Sequence, residues 1–170
     1  FDGREGYEVR IDAPRVVLAG SAIGSPALAI ASGLPDPHDL LGVGLQMHPG
    51  VAVAGVFDDR IEGWKGIPQS YECTEFLDLS PGSARRVWIT TAFAHPIGAA
   101  VMLPGFGAAH HERMRKYAHL AVLSAMIHDE TRGRVRLADG RPKIDYAISS
   151  ADVEQLVLGM RSSARILLAA

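Results

Sequence analysis

Asp139-Gly140 sits between two runs in which apolar and charged residues alternate, and few folds accommodate that pattern. Val135 and Leu137 alternate with Arg134 and Arg136 before the pair; Ile144, Tyr146 and Ile148 alternate with Lys143 and Asp145 after it. A period of two turns one face toward a core, and Asp-Gly favours the positive φ angles of a two-residue hairpin turn. An antiparallel hairpin is therefore expected over residues 134–148. Residues 51–57, 70–77, 86–93 and 120–127 also read as strands. Residues 6–13 alternate Tyr7, Val9 and Ile11 with Glu8, Arg10 and Asp12, the pattern of a half-buried strand. Residues 98–103 form a short apolar stretch after Pro96, and a helix is expected over 108–118. A last helix starts at Ser149-x-x-Asp152, a capping-box pattern, ahead of Val153, Leu156, Val157, Met160 and Leu167 at helical spacing. Successive strands joined by short turns argue for an α+β fold: a mostly antiparallel sheet with flanking helices.

Residues 16–33 follow a different logic. Val16-Val17-Leu18 suits a strand buried on both faces, and Ala19, Gly20, Ser21 and Ala22 are small enough for close backbone approach. Ser25-Pro26 suits an N-cap and first helical residue, Leu28 and Ile30 lie in the helix, and Gly33 is placed to end it. Strand, small-residue turn and capped helix is how nucleotide-binding sheets place a cofactor at a strand's carboxyl end. The same order occurs in any α/β domain, and Gly20 and Gly24 make no G-x-G-x-x-G spacing. The residues alone leave cofactor contact and tight packing both open. Pro35-Asp36-Pro37-His38-Asp39 reads as a stiff loop, and a boundary is placed near residues 45–50, where hairpin patterns begin.

Ala22-Ile23-Gly24-Ser25-Pro26 with Ser32-Gly33-Leu34 resembles the second signature of the glucose-methanol-choline (GMC) family of flavin oxidoreductases. Gly42-Val43-Gly44-Leu45-Gln46-Met47-His48-Pro49 is similar to a further family landmark, Gly-x-Asn-Leu-Gln-Asp-His-Pro. Ile61-Glu62-Gly63-Trp64-Lys65-Gly66, Ala94-His95-Pro96 and Gly133-Arg134-Val135 resemble the branch that contains long-chain alcohol oxidases. Ser21 and Gly44 depart from the family's glycine and asparagine, and Met47 from its aspartate. The resemblance implies FAD as cofactor, with contacts expected from Ala19, Gly20, Ser21, Ala22 and Ser25. It implies that residues 1–45 are the tail of an FAD-binding α/β layer. Residues 46–148 are then a substrate-domain sheet with helices, and 149–170 a helix leading to a further segment. It also implies hydride transfer from an apolar or long-chain alcohol to flavin. The family's glycine fingerprint and its His-Pro-x-Gly-Thr segment have no match here, so the chain is expected to be the middle part of an enzyme, inactive alone. The remaining parts of that flavoenzyme are its expected partners.

Composition limits the rivals. With 170 residues, 48 % of them apolar, the chain can bury a core. A net charge of −2 carries no footprint for nucleic acid. Arg113, Arg115 and Lys116 cluster beside Glu112 and read as a solvated helix face. Cys73, alone of its kind, excludes an internal disulfide and has no neighbouring base in sequence. His110 and His111 are adjacent and His119 lies eight beyond His111, spacings that do not chelate on a helix, so no metal is expected. His48 and His95 precede proline and are expected to bond backbone. No catalytic residue is assigned. No run approaches the roughly 20 apolar residues of a membrane helix, so a membrane partner is not expected; localisation is left open, the cytoplasm being favoured. The strands 51–57, 86–93 and 120–127, with Val51, Val53, Phe57, Trp88, Ile89, Phe93, Leu123 and Met126, should pack one face on helices and wall an apolar pocket with the other. The alternatives are an α+β binding module, or a truncated remnant, without flavin chemistry. Oligomeric state is left open.

Overall fold

A computed structural model describes residues 9–170, which divide into two compact units, one of 46–132 with 146–170 and one of 9–45 with 133–145. The larger unit is built on a four-stranded antiparallel sheet. Its strands are β2 (Gly50–Val56), β3 (Glu72–Cys73), β4 (Val87–Ala92) and β5 (Leu120–Ile127), in the order β2-β5-β4-β3. β5 occupies the bounds its apolar run predicts and pairs β2 from Val56↔Leu120 to Gly50↔Met126. β3 is shorter than the run 70–77, because a turn closed by Leu77 N–H to Thr74 O interrupts the ladder, which resumes with Val87 N–H to Phe76 O and the Leu77–Arg86 bridge.

Alternation along β4 and β5 sends Val87, Ile89, Leu123, Ala125 and Ile127 to one face, where they form the core with Val51, Leu156 and Leu167. Each fully buried aliphatic side chain of this kind stabilises by about 1.5–3 kcal/mol. Leu156 and Leu167 belong to α4 (Ser150–Ala169), which lies over that face. Its buried residues are Asp152, Gly159 and Ser163, whereas Val153, Val157 and Met160 stay partly exposed. The apolar stripe expected from the sequence is therefore rotated. The cause is Gly159, where a Cβ would stand 2.7 Å from Ala125 Cβ and 3.0 Å from Val87 Cγ1. The helix approaches at its smallest residue.

The start of α4 follows its pattern in half. Ser149 Oγ accepts from Asp152 N–H at 3.1 Å, as an N-cap should. The reciprocal bond of a capping box is absent: Ser149 N–H donates to Thr131 Oγ1, and the Asp152 carboxylate turns inward. Fully buried, it accepts from Arg86 NH1 and Thr131 Oγ1, both at 2.6 Å, and from the amides of Thr131 and Glu130. Burial works to raise its pKa, but these donors prevail and hold the carboxyl well below the usual carboxylate range. Two short helices, α2 (Pro96–Met102) and α3 (Gly107–Arg115), lie between β4 and β5. The stretch 98–103 is thus helical, with Pro96 at its first turn, where a missing amide costs nothing.

The smaller unit holds α1 (Ser21–Ala31) and a three-stranded sheet of β1 (Val43–Leu45), β6 (Gly133–Ala138) and β7 (Arg141–Asp145), in the order β1-β6-β7. The β6–β7 hairpin turns at Asp139 and Gly140 with φ of 51° and 71°, as the pair predicts. It joins β1 and not the sheet of 46–132, to which the sequence assigned it. Its core is Ala27, Leu45 and Val135, with Ile23 and Leu137 against them. Gly33, at φ 61°, ends α1: Gly33 N–H reaches Ile30 O and Leu34 N–H reaches Ala29 O.

Two expectations at this end are corrected. Residues 16–18 form no strand, and Val16 and Val17 are 79 % and 85 % exposed, so no buried parallel strand precedes the helix. The helix also begins four residues before Ser25, with Gly20 as N-cap and Pro26 inside it. Of the strand expected at 6–13, residues 6–8 lie outside the described residues and 9–13 are not strand. No helix among the described residues is long and apolar enough to cross a membrane.

Candidate functional site

The sheet face of the larger unit opposite α4 carries a cavity of about 340 Å³. Its floor is Ala52 and Ala54 of β2, Ala92 of β4, and Leu120, Val122 and Ser124 of β5. These are the residues that alternation sends away from the core, and three alanines among them leave the room. Aromatic side chains build one wall. Trp64 stacks on Tyr117 with centroids 4.8 Å apart and planes 11° off parallel, and the Tyr117 hydroxyl donates to Ala94 O. Burial raises the Tyr117 pKa, consistent with a phenol that stays neutral in this wall. Phe93, Met102, Leu103 and Pro104 continue the enclosure, the last three from α2 and its end.

No charged side chain lines the cavity among the described residues. Polar groups are few: the hydroxyls of Ser124 and Tyr117 and the Trp64 indole. Thr90, in register with Ser124 on the same face, is 2 % exposed and its Oγ1 has no partner among the described residues. Such a site suits an apolar molecule with few polar atoms, and its size lies within the range of about 300–1,000 Å³ usual for ligand pockets. No carboxylate, imidazole, amine or thiol lines it among the described residues.

The sequence anticipated an apolar pocket on one face of this sheet, without assigning the named strand residues to a face. Val51, Ile89 and Leu123 face the helix side, whereas Phe93 lines the cavity. The alanines were missed because nothing in Ala52 or Ala54 alone marks a floor.

The residues expected to contact flavin lie in the smaller unit. Ala19, Gly20, Ser21 and Ala22 are exposed, and Ser25 is half-buried in the first turns of α1. Ser25 Oγ accepts from Gly20 N–H at 2.8 Å and donates to Leu18 O at 3.3 Å, tying the preceding loop to the helix start. The amides of Ser21, Ala22 and Ile23 have no partner among the described residues, and the first turn carries no acidic side chain. Gly20 has a local role: a Cβ there would lie 2.7 Å from Gly24 C and Ser25 N. Ser21 sits at φ 63°, a left-handed conformation that glycine adopts freely, and Gly44 sits at 81°, where asparagine is the next best residue.

The remaining candidates are structural. Asp129, 3 % exposed, accepts from Met47 N–H and the Tyr146 hydroxyl, while Gln46 Nε2 donates to its carbonyl. His119 Nδ1 faces two carbonyls, Phe57 O at 3.2 Å and Asp59 O at 3.0 Å, so that nitrogen carries the proton. Cys73 packs against the core as a free thiol. No group of three His, Cys, Asp or Glu side chains fit to hold a metal occurs among the described residues.

No family model matches the chain. Individual proteins do. An uncharacterised GMC-type oxidoreductase of Mycobacterium tuberculosis is 31 % identical over 166 residues, covering 98 % of this chain and 25 % of the relative. The long-chain-alcohol oxidase FAO3 of Arabidopsis thaliana is 33 % identical over 178 residues, covering 100 % of this chain and 23 % of the relative. FAO1 of the same plant, also a long-chain-alcohol oxidase, is 27 % identical over 167 residues, 96 % of this chain and 21 % of its own. The chain thus spans about a quarter of the length of the relatives it matches. Homologous to these proteins along its whole length, the chain belongs to the GMC-type oxidoreductases, as a segment of one.

Proposed function

We propose that this chain is the substrate-binding segment of an FAD-dependent alcohol oxidoreductase, and that its cavity receives the apolar chain of the alcohol. The observation that carries this reading is the cavity itself: alanine-floored, aromatic-walled and uncharged. A sugar would leave most of its hydroxyls unpaired there, at about 1–3 kcal/mol for each one buried. An alkyl chain gains about 0.8 kcal/mol per buried methylene. The long-chain-alcohol oxidase relatives support the same substrate class.

FAD, when bound, supplies the acceptor for a hydride from the alcohol carbon. The free amides of Ser21, Ala22 and Ile23 fit an anionic part of such a nucleotide, because a helix N-terminus favours negative charge. Ser25 would hold the loop Ala19–Gly20 in place for that contact. Proton removal from the alcohol falls to the remaining parts of the parent enzyme, since no carboxylate, imidazole or amine lines the cavity among the described residues.

Trp64 in the wall provides the test. Dodecanol added to the chain should change its tryptophan fluorescence saturably, and glucose should not. Ala54→Phe, which fills the floor, should abolish the dodecanol response without lowering the urea midpoint. An unchanged response in Ala54→Phe, or an equal response to glucose, would refute the assignment.

A further inference from the structure

We infer that the α2–α3 hairpin docks the protein on an anionic lipid surface, from which the cavity is loaded. This rests on the reading of the cavity as a site for apolar alcohols, compounds that reside in bilayers more than in water. α2 has two apolar faces. Ala99 turns inward, buried, toward the cavity, while Ile97 and Val101, one helical turn apart, are 83 % and 82 % exposed. Met102 is 70 % exposed while also lining the cavity, and Phe106 in the following turn is 95 % exposed. Exposed apolar side chains on a helix that also encloses an apolar cavity mark an interaction surface.

Charge identifies the partner. Residues 96–119 contain Arg113, Arg115 and Lys116 against the single acid Glu112, in a chain whose net charge is −2. Arg113 NH1 donates to Pro104 O at 2.8 Å, which places a guanidinium at the turn that carries Phe106. Glu112 lies 3.6 Å from Arg115, leaving Arg113 and Lys116 without an acidic partner among the described residues. Apolar residues that enter the acyl boundary beside cations that meet headgroups are the two components of interfacial binding. This is peripheral docking, and it needs no spanning helix.

Cosedimentation with vesicles of phosphatidylcholine, with and without phosphatidylserine, tests the inference on the chain as it exists. The chain should bind phosphatidylserine vesicles and release as salt rises. Val101→Ser/Phe106→Ser should lower binding about tenfold or more. Arg113→Gln/Lys116→Gln should remove most of the preference for phosphatidylserine. Leu168→Ser, which removes an exposed leucine on α4, should change nothing. The inference is overturned if neither vesicle binds the chain, if the hairpin variant binds undiminished, or if Leu168→Ser weakens binding equally. A dimer that the hairpin variant converts to monomer would also overturn it, by assigning the patch to a second copy. Failure here is distinct from failure of the cavity reading. The hairpin variant should keep the dodecanol response in free solution, and Ala54→Phe should keep vesicle binding.

Discussion

Replacing Asp152 by alanine should destabilise the larger unit more than almost any other single change. Its carboxylate is fully buried and accepts four hydrogen bonds, one from an Arg86 that is itself only 7 % exposed. Breaking the pair from this side leaves the buried Arg86 with only the exposed Glu130 carboxylate, 3.8 Å away, and such a break costs about 3–5 kcal/mol. The amides of Glu130 and Thr131 lose their acceptor as well, each at about 1–3 kcal/mol when water cannot replace it. The lower figure already approaches the whole stability of a marginal domain, about 5–15 kcal/mol. Both tryptophans, Trp64 and Trp88, lie in this unit, so urea unfolding followed by their fluorescence reads the effect. The double variant Arg86→Met/Asp152→Leu should recover part of the loss, because it removes both charges together. The linkage to pH has a definite sign. The carboxyl is depressed below its ordinary value of 3.8, so its contribution is complete above that value. The contribution is then lost as pH falls toward the lower folded-state pKa. Asp152→Asn should flatten that acid limb. A loss below about 1 kcal/mol in Asp152→Ala would refute the reasoning.

Two further outcomes follow from particular contacts. Gly159→Ala gains about 1 kcal/mol of helix propensity but overlaps Ala125 and Val87, at about 1–3 kcal/mol, so chemical denaturation should show a net loss; a gain would mean that α4 can shift outward at no cost. Tyr146 is pushed up to about 12, first by burial and then by its bond to Asp129, so ultraviolet titration should find one of the four tyrosines ionising there. Its stabilising contribution is complete below the ordinary value of 10.0 and is lost as pH rises through 12; Asp129→Asn should bring that ionisation down.

The parts of the fold legible in the sequence are those fixed by local chemistry. The Asp139-Gly140 turn, the run of β5, the Ser149 cap and the Gly33 helix end each depend on a few adjacent residues. Residues 16–18 misled because three successive apolar residues imply cover on both faces only if partners exist, and no local pattern states that. The α1 start was placed late because Ser25-Pro26 is a good cap pair, yet Ser25 uses its hydroxyl to reach back to Gly20 from inside the helix. Pro96 reads as the stop of the strand before it, and the short apolar run that follows shows no helical period, although proline at a first turn also suits a helix start. The cavity was legible only as a class of surface. Its lining comes from β2, β4, β5, α2 and the loop of Trp64, and only the register of the sheet brings Ala52 opposite Ser124.

The chain leaves the smaller unit after Leu45 and re-enters it at Gly133, and these two residues are paired partners across β1 and β6. Everything in 46–132 is thus a loop whose ends must meet before that pairing can exist. Closing so long a loop while it is still unfolded costs on the order of 4 kcal/mol in chain entropy, and the short β1 offers little in return. Once the four-stranded sheet has formed, most of that loop is already fixed and the cost shrinks. The order of assembly is therefore written into the connectivity: the four-stranded sheet within 46–132 forms before β1 pairs with β6.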